Sequence, residues 1–228
     1  QALFDVSLQV GAGELVVLIG VNGGGKTTLI NTLAGSLEPV RGHVAIQGMA
    51  LTRIAALQRA KHISVVYTGR PQVGLLDVRT IVGLGRQPWT GHFGRFGVAD
   101  HRAVNVAMER MQVLEFASRT LQHLSDGEAQ RVMVARALAQ ETPVILLDEP
   151  MAFLDLVNRV RLLRTLRNLA HTEQKAILLS THDLHTALEW CDRAWLVHES
   201  GLWCGTPAEV RSTGILQRIF AGEVAGWA

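Results

Sequence analysis

Short apolar runs alternate along the chain with stretches of helical periodicity. Residues 14–19 (ELVVLI) predict a buried strand, and residues 26–34 predict the helix after it. Residues 43–47 and 63–67 predict two more strands, and 143–148, 175–180 and 193–198 a further three. Continuous apolar runs rich in β-branched residues suit strands covered on both faces, as in a parallel sheet. Residues 1–10 also read as a strand. Leu156, Val160, Leu163 and Ala170 fall on one helical face, with Arg159, Arg161, Arg164 and Arg167 largely elsewhere. Strands alternating with helices predict an α/β fold.

The middle breaks this pattern. Residues 86–97 (RQPWTGHFGRFG) combine glycine with aromatics and predict a loop. Val104, Met108 and Met111 then mark an amphipathic helix reaching to about residue 117. The expected organisation is a single domain over 1–228, with residues 1–85 and 141–228 forming the core and about 86–140 an inserted helical lobe.

Composition narrows the function classes. Of 228 residues, 48% are hydrophobic and 18% charged, which excludes a disordered chain. No apolar run approaches the ~18 residues of a membrane span. The net charge of +2 gives no electrostatic footprint for nucleic acid, so the arginines between 159 and 167 read as a solvated helix face. Two cysteines, Cys191 and Cys204, make no disulfide framework and suit a reducing compartment. No basic stretch followed by an apolar run stands among the first residues, so no export signal is expected from them.

Two motifs carry the chemistry. Gly20-Val21-Asn22-Gly23-Gly24-Gly25-Lys26-Thr27 fits G-x-x-x-x-G-K-[ST], the phosphate loop between a strand and a helix. Its glycines turn backbone N–H groups toward phosphate oxygens, and the helix adds its positive end. Lys26 supplies a mobile charge, and the Thr27 hydroxyl can ligate Mg²⁺. Magnesium also needs a carboxylate. The apolar run VILLDE ends in Asp148, expected in the metal shell, and Glu149, expected to orient or deprotonate an attacking water. The plain alternatives are a glycine-rich turn and a strand that happens to end in acids.

Residues 124–131 (LSDGEAQR) resemble the signature of ATP-binding cassette (ABC) ATPases, LSGGQ-x-Q/R-R, and the spacing to VILLDEP and to Ser180-Thr181-His182-Asp183 fits the same family. The resemblance runs over essentially the whole chain. It implies a P-loop NTPase with a RecA-like core, an inserted helical subdomain carrying the signature, and an N-terminal β subdomain. It implies ATP and Mg²⁺ held by Asn22, Gly23, Gly24, Gly25, Lys26, Thr27 and Thr28, with Ser125 and Gly127 completing the partner's site in a head-to-tail homodimer. Ser125-x-x-Glu128 is equally a helix capping box. His182 matches the family's switch histidine. Asp155 matches its interface aspartate, or caps the helix that follows. Departures are Thr68 at the position of the Q-loop glutamine (Gln72 lies four residues late), Glu128 in the signature, and Met151 after DEP. The family's adenine-stacking aromatic falls, by spacing, before Gln1.

No long heptad stretch lies between Thr27 and Leu124, which argues against the chromosome-maintenance branch. Gly85-Arg86 with Pro88-Trp89, the LSDGE variant and Gly205-x-Pro207-x-Glu209-Val210 resemble the ATPases of iron-siderophore, haem and cobalamin importers. That implies a motor subunit at the cytoplasmic face of the bacterial inner membrane. It would drive a separate permease, and indirectly serve a substrate-binding protein. Trp89, Phe93 and Phe96 would line the permease groove or pack under their own loop. The alternative is a non-transport ABC ATPase acting as a scaffold.

Overall fold

The computed structural model describes residues 6–21, 23–69, 71, 74–91, 94–198 and 201–216. Among the described residues eight strands appear: β1 Leu15–Gly20, β2 Ala45–Ile46, β3 Met49–Ala50, β4 Ile63–Val66, β5 Val144–Leu147, β6 Ala176–Thr181, β7 Arg193–His198 and β8 Gly201–Gly205. The helices are α1 Lys26–Leu33, α2 Ala56–His62, α3 Val78–Gly83, α4 Val98–Arg110, α5 Asp126–Ala139, α6 Leu156–Glu173, α7 Leu184–Trp190 and α8 Pro207–Ser212. The main sheet runs β4-β5-β6-β1-β7-β8, parallel throughout except for β8. The α/β expectation holds.

All six residues of β1 are buried because both faces are covered. Leu15, Val17 and Ile19 join the helix-rich core on one side, and Val16 and Leu18 pack with Leu29 and Ile30 of α1 on the other. Since β1 lies between β6 and β7, its end at Gly20 emerges beside Thr181 and Val197. β5 adjoins β6, so Asp148 emerges at the same carboxyl edge. Open α/β sheets bind ligands along that edge.

Several sequence readings are corrected. Residues 6–10 form no strand, and 1–5 lie outside the described residues. The strand expected over 43–47 shrinks to β2, which forms a two-rung hairpin with β3. The helix read to residue 117 stops at Arg110, because Gln112 turns to φ 52 and Leu114–Phe116 closes a 3-10 turn. Apolar positions beyond it are still buried: Met111 is 4% exposed and Phe116 6%. On α6 the buried face is Leu162, Leu163, Leu166, Leu169 and Ala170, while Leu156 projects into solvent. In the Gly205–Val210 segment Gly205 ends β8, and Thr206 caps α8 through a box with Glu209.

The loop over 86–97 is anchored at its beginning. Arg86 is 5% exposed, and its guanidinium meets Asp100 (2.9 Å), Glu141 (2.7 Å) and the Ala139 carbonyl (2.8 Å). Arg86→Ala would leave a shielded carboxylate and a buried carbonyl without their donor. The expected loss is about 3 kcal/mol of unfolding free energy by urea denaturation.

Candidate functional site

The loop after β1 runs into α1 through Gly25, which caps the helix at φ 94. That left-handed backbone is costly for any residue with a Cβ. Gly25 has no side chain with which to cap α1, and among the described residues no side chain bonds the amides of Lys26, Thr27 and Thr28 that open the helix. Lys26 is 6% exposed. Its ammonium donates to the Gly20 carbonyl at 2.7 Å and the Val21 carbonyl at 3.2 Å, and lies 3.7 Å from Glu149 Oε1. Gly23 and Gly24 line the same turn, with the Gly24 amide on the Val21 carbonyl. Thr28 is exposed on the first turn of α1. Asn22 lies outside the described residues.

Asp148, 3% exposed, is held at both oxygens. Thr27 Oγ1 donates to Oδ2 at 2.7 Å, and Ser180 Oγ donates to Oδ1 at 2.6 Å. The two residues expected to share a metal ion are therefore brought together. A hydroxyl and one ionisable carboxylate beside a phosphate loop form the hard oxygen donor set that Mg²⁺ prefers. Ser180 also accepts the Glu149 amide at 2.9 Å. The sequence reading did not single out Ser180 for a role. Its signals were its position at the end of the run AILL and at the head of the Ser180-Thr181-His182-Asp183 match, and its partners depend on the β5–β6 register.

Glu149 sits in the left-handed region at φ 48, uncommon for a non-glycine residue and a mark of functional sites. Its carboxylate spans Lys26 and His182, whose Nδ1 is 2.9 Å from Oε2. The predicted trio of Lys26, Glu149 and His182 is thus contiguous. Thr68, two residues beyond β4, donates its hydroxyl to the Asp148 carbonyl at 2.9 Å, so this position touches the acidic strand end through the backbone. Gln72 lies outside the described residues. Met151 is buried in the core.

Ser125 and Gly127 stand apart from this cluster, at the start of α5. Ser125 caps the helix in a reciprocal box with Glu128. A methyl on Gly127 would lie 2.9 Å from the Phe153 carbonyl, so the glycine lets the loop before α6 pack close. Asp155 caps α6: its Oδ1 accepts the Asn158 amide at 2.8 Å. That bond, from a backbone N–H, holds the exposed carboxyl below the usual range. Trp89 donates to the Gln140 carbonyl at 2.8 Å and lies under Lys61, yet stays 42% exposed. Phe96 packs edge-on to His101. Phe93 lies outside the described residues.

The model of the ABC transporter family matches residues 3–152, more than half of the chain. The chain belongs to the ABC transporter family. A relative, the cobalamin import ATP-binding protein BtuD of Halobacterium salinarum, is 36% identical over 226 residues, covering 99% of this chain and 56% of that protein. The chain thus spans little more than half the length of that relative. The probable siderophore transport system ATP-binding protein YusV of Bacillus subtilis is 31% identical over 218 residues, covering 95% of this chain and 79% of that one. A solved ATP-binding subunit of an ABC transporter is 28% identical and superposes with a TM-score of 0.78, over 98% of this chain and 89% of that one. The fold of this ABC protein is that of a P-loop ATPase with a RecA-like core. No helix among the described residues is long and apolar enough to cross a membrane.

Proposed function

We propose that this chain is the ATP-hydrolysing motor of an ABC importer for an iron-siderophore or a related metal chelate, such as haem or cobalamin. It would drive a separate permease from the cytoplasmic face of the membrane and work with a substrate-binding protein only indirectly. The single observation that carries the hydrolytic reading is the strand-end cluster. Asp148 is fixed between Thr27 and Ser180, and Glu149 is fixed between Lys26 and His182. The cobalamin and siderophore relatives support the importer reading. Residues 86–140 serve in this reading as the helical subdomain, with Trp89 and Phe96 on its exposed side.

The amides of the first turn of α1 and Lys26 bind the outer phosphates of ATP. Thr27 and Asp148 would hold Mg²⁺, which neutralises phosphate charge when bound. Glu149 accepts the proton of the attacking water as its oxygen bonds to the γ-phosphorus and the bond to ADP breaks. His182 orients Glu149 through Nδ1, and Lys26 stabilises charge developing on the phosphoryl oxygens. Ser125 and Gly127 of a second copy complete the site, so that ATP closes a head-to-tail dimer and hydrolysis reopens it.

Glu149→Gln tests this by light scattering. The mass should double on adding Mg-ATP and remain monomeric with Mg-ADP. A chain that stays monomeric at saturating Mg-ATP argues against a self-sufficient sandwich.

A further inference from the structure

Ser125 has one hydroxyl hydrogen, and it is already engaged. Its Oγ donates to Glu128 Oε2 at 2.7 Å, while the same carboxylate oxygen accepts the Ser125 amide at 2.7 Å and the Glu128 amide returns to Oγ at 3.3 Å. A hydroxyl bound in this way cannot also donate to a phosphate. To meet a γ-phosphate brought by a second chain, it must leave a charged acceptor on its own helix. Hydrogen bonds to ionised acceptors are roughly twice as strong as those to neutral ones. The Ser125 hydroxyl and then its amide hold the Glu128 carboxyl below the usual range, so it stays ionised at neutral pH.

We propose that Glu128 is a positioning residue that restrains the signature hydroxyl of Ser125 and so raises the ATP concentration needed to close the dimer. The inference rests on the sandwich proposed above. A phosphate oxygen and the Glu128 carboxylate compete for one hydrogen, and the carboxylate has the advantage of being intramolecular and geometrically satisfied. The residue thereby sets a threshold: the half-site engages only when the incoming phosphate, with its other donors, outcompetes the carboxylate. A glutamine here would keep the capping box, because its amide oxygen still accepts the Ser125 amide. It would replace a charged acceptor with a neutral one and let the hydroxyl turn outward at lower cost.

The experiment compares Glu149→Gln with Glu149→Gln/Glu128→Gln, titrating Mg-ATP and reading dimer fraction by light scattering. The half-saturating ATP concentration should fall about fivefold in the double variant, while the nucleotide-free protein stays folded and melts only slightly lower, as expected for loss of one charge-assisted cap. The ratio should persist between roughly 0.05 M and about 0.5 M salt, because a short-range hydrogen bond is screened far less than a field effect. An unchanged or higher ATP requirement in the double variant overturns the proposal while leaving the sandwich intact. A shift that vanishes at high salt also overturns it, since simple repulsion between carboxylate and phosphate would then suffice. No dimer in either variant removes the sandwich and this inference with it.

Discussion

Replacing Glu149 with glutamine should lower steady-state ATP turnover by about a thousandfold while leaving ATP affinity nearly unchanged. Loss of a positioned general base typically costs a factor of about 10²–10⁴. The substitution isolates that role. Glutamine has the same length and can still accept from the His182 ring, but it takes up no proton. The backbone does not oppose it either. Glu149 stands at φ 48, and three glutamines of this chain, Gln47, Gln112 and Gln174, adopt φ of 49, 52 and 53. The Asp148 bonds to Thr27 and Ser180 do not pass through the Glu149 side chain, so the metal-facing oxygens stay in place. Phosphate release and nucleotide affinity, measured on the same preparation, decide the matter. Turnover within tenfold of the parent would remove Glu149 from the base role and leave His182 or water alone to account for the reaction.

Much of this site is legible in sequence because its pieces are local. The phosphate loop is eight consecutive residues between a strand and a helix, and the acids follow an apolar run directly. The capping box at Ser125 is likewise a four-residue pattern, and the structure forms it. Features that depend on strand register were not legible. Ser180 becomes the partner of both Asp148 and Glu149 only because β6 lies beside β5 with Leu179 opposite Leu147. Periodicity also misjudges element ends. The pattern Val104, Met108, Met111 is truly buried, but the chain leaves the helix at Arg110 and buries Val113 and Phe116 from a different backbone path. Leu156 shows the converse. It satisfies the apolar period of α6, yet it lies in the first turn beyond the edge of the core and is 66% exposed. Gly85 and Arg86 were legible only as a family likeness, and their physical role lies in contacts with Asp100 of α4 and with α5 and the residues just beyond it, the latter some fifty positions away.

That role yields the second large effect. Gly85→Ala should lower the melting temperature by about 6–12 °C, the consequence of about 3 kcal/mol in a chain of this length. A methyl at Gly85 would overlap the carbonyl oxygen of Arg136, while it would only touch the Ala139 side chain. The obstacle is helix backbone inside a packed core, so no flexible side chain can swing aside. Either α5 or the turn at Leu84–Arg86 must shift, and Arg86 cannot follow freely because it is tied to Asp100, Glu141 and the Ala139 carbonyl. The strain would reach the proposed half-site, because α5 is the helix that begins at Ser125. ATP-dependent dimerisation in the Glu149→Gln background should therefore weaken along with stability. Gly91→Ala is the matched control: among the described residues nothing lies within 4 Å of a methyl there, and the expected change is within about 0.5 kcal/mol. Equal melting temperatures for the two variants would mean that α5 can slide away from the turn. The close approach at Gly85 would then be a consequence of packing and not one of its constraints.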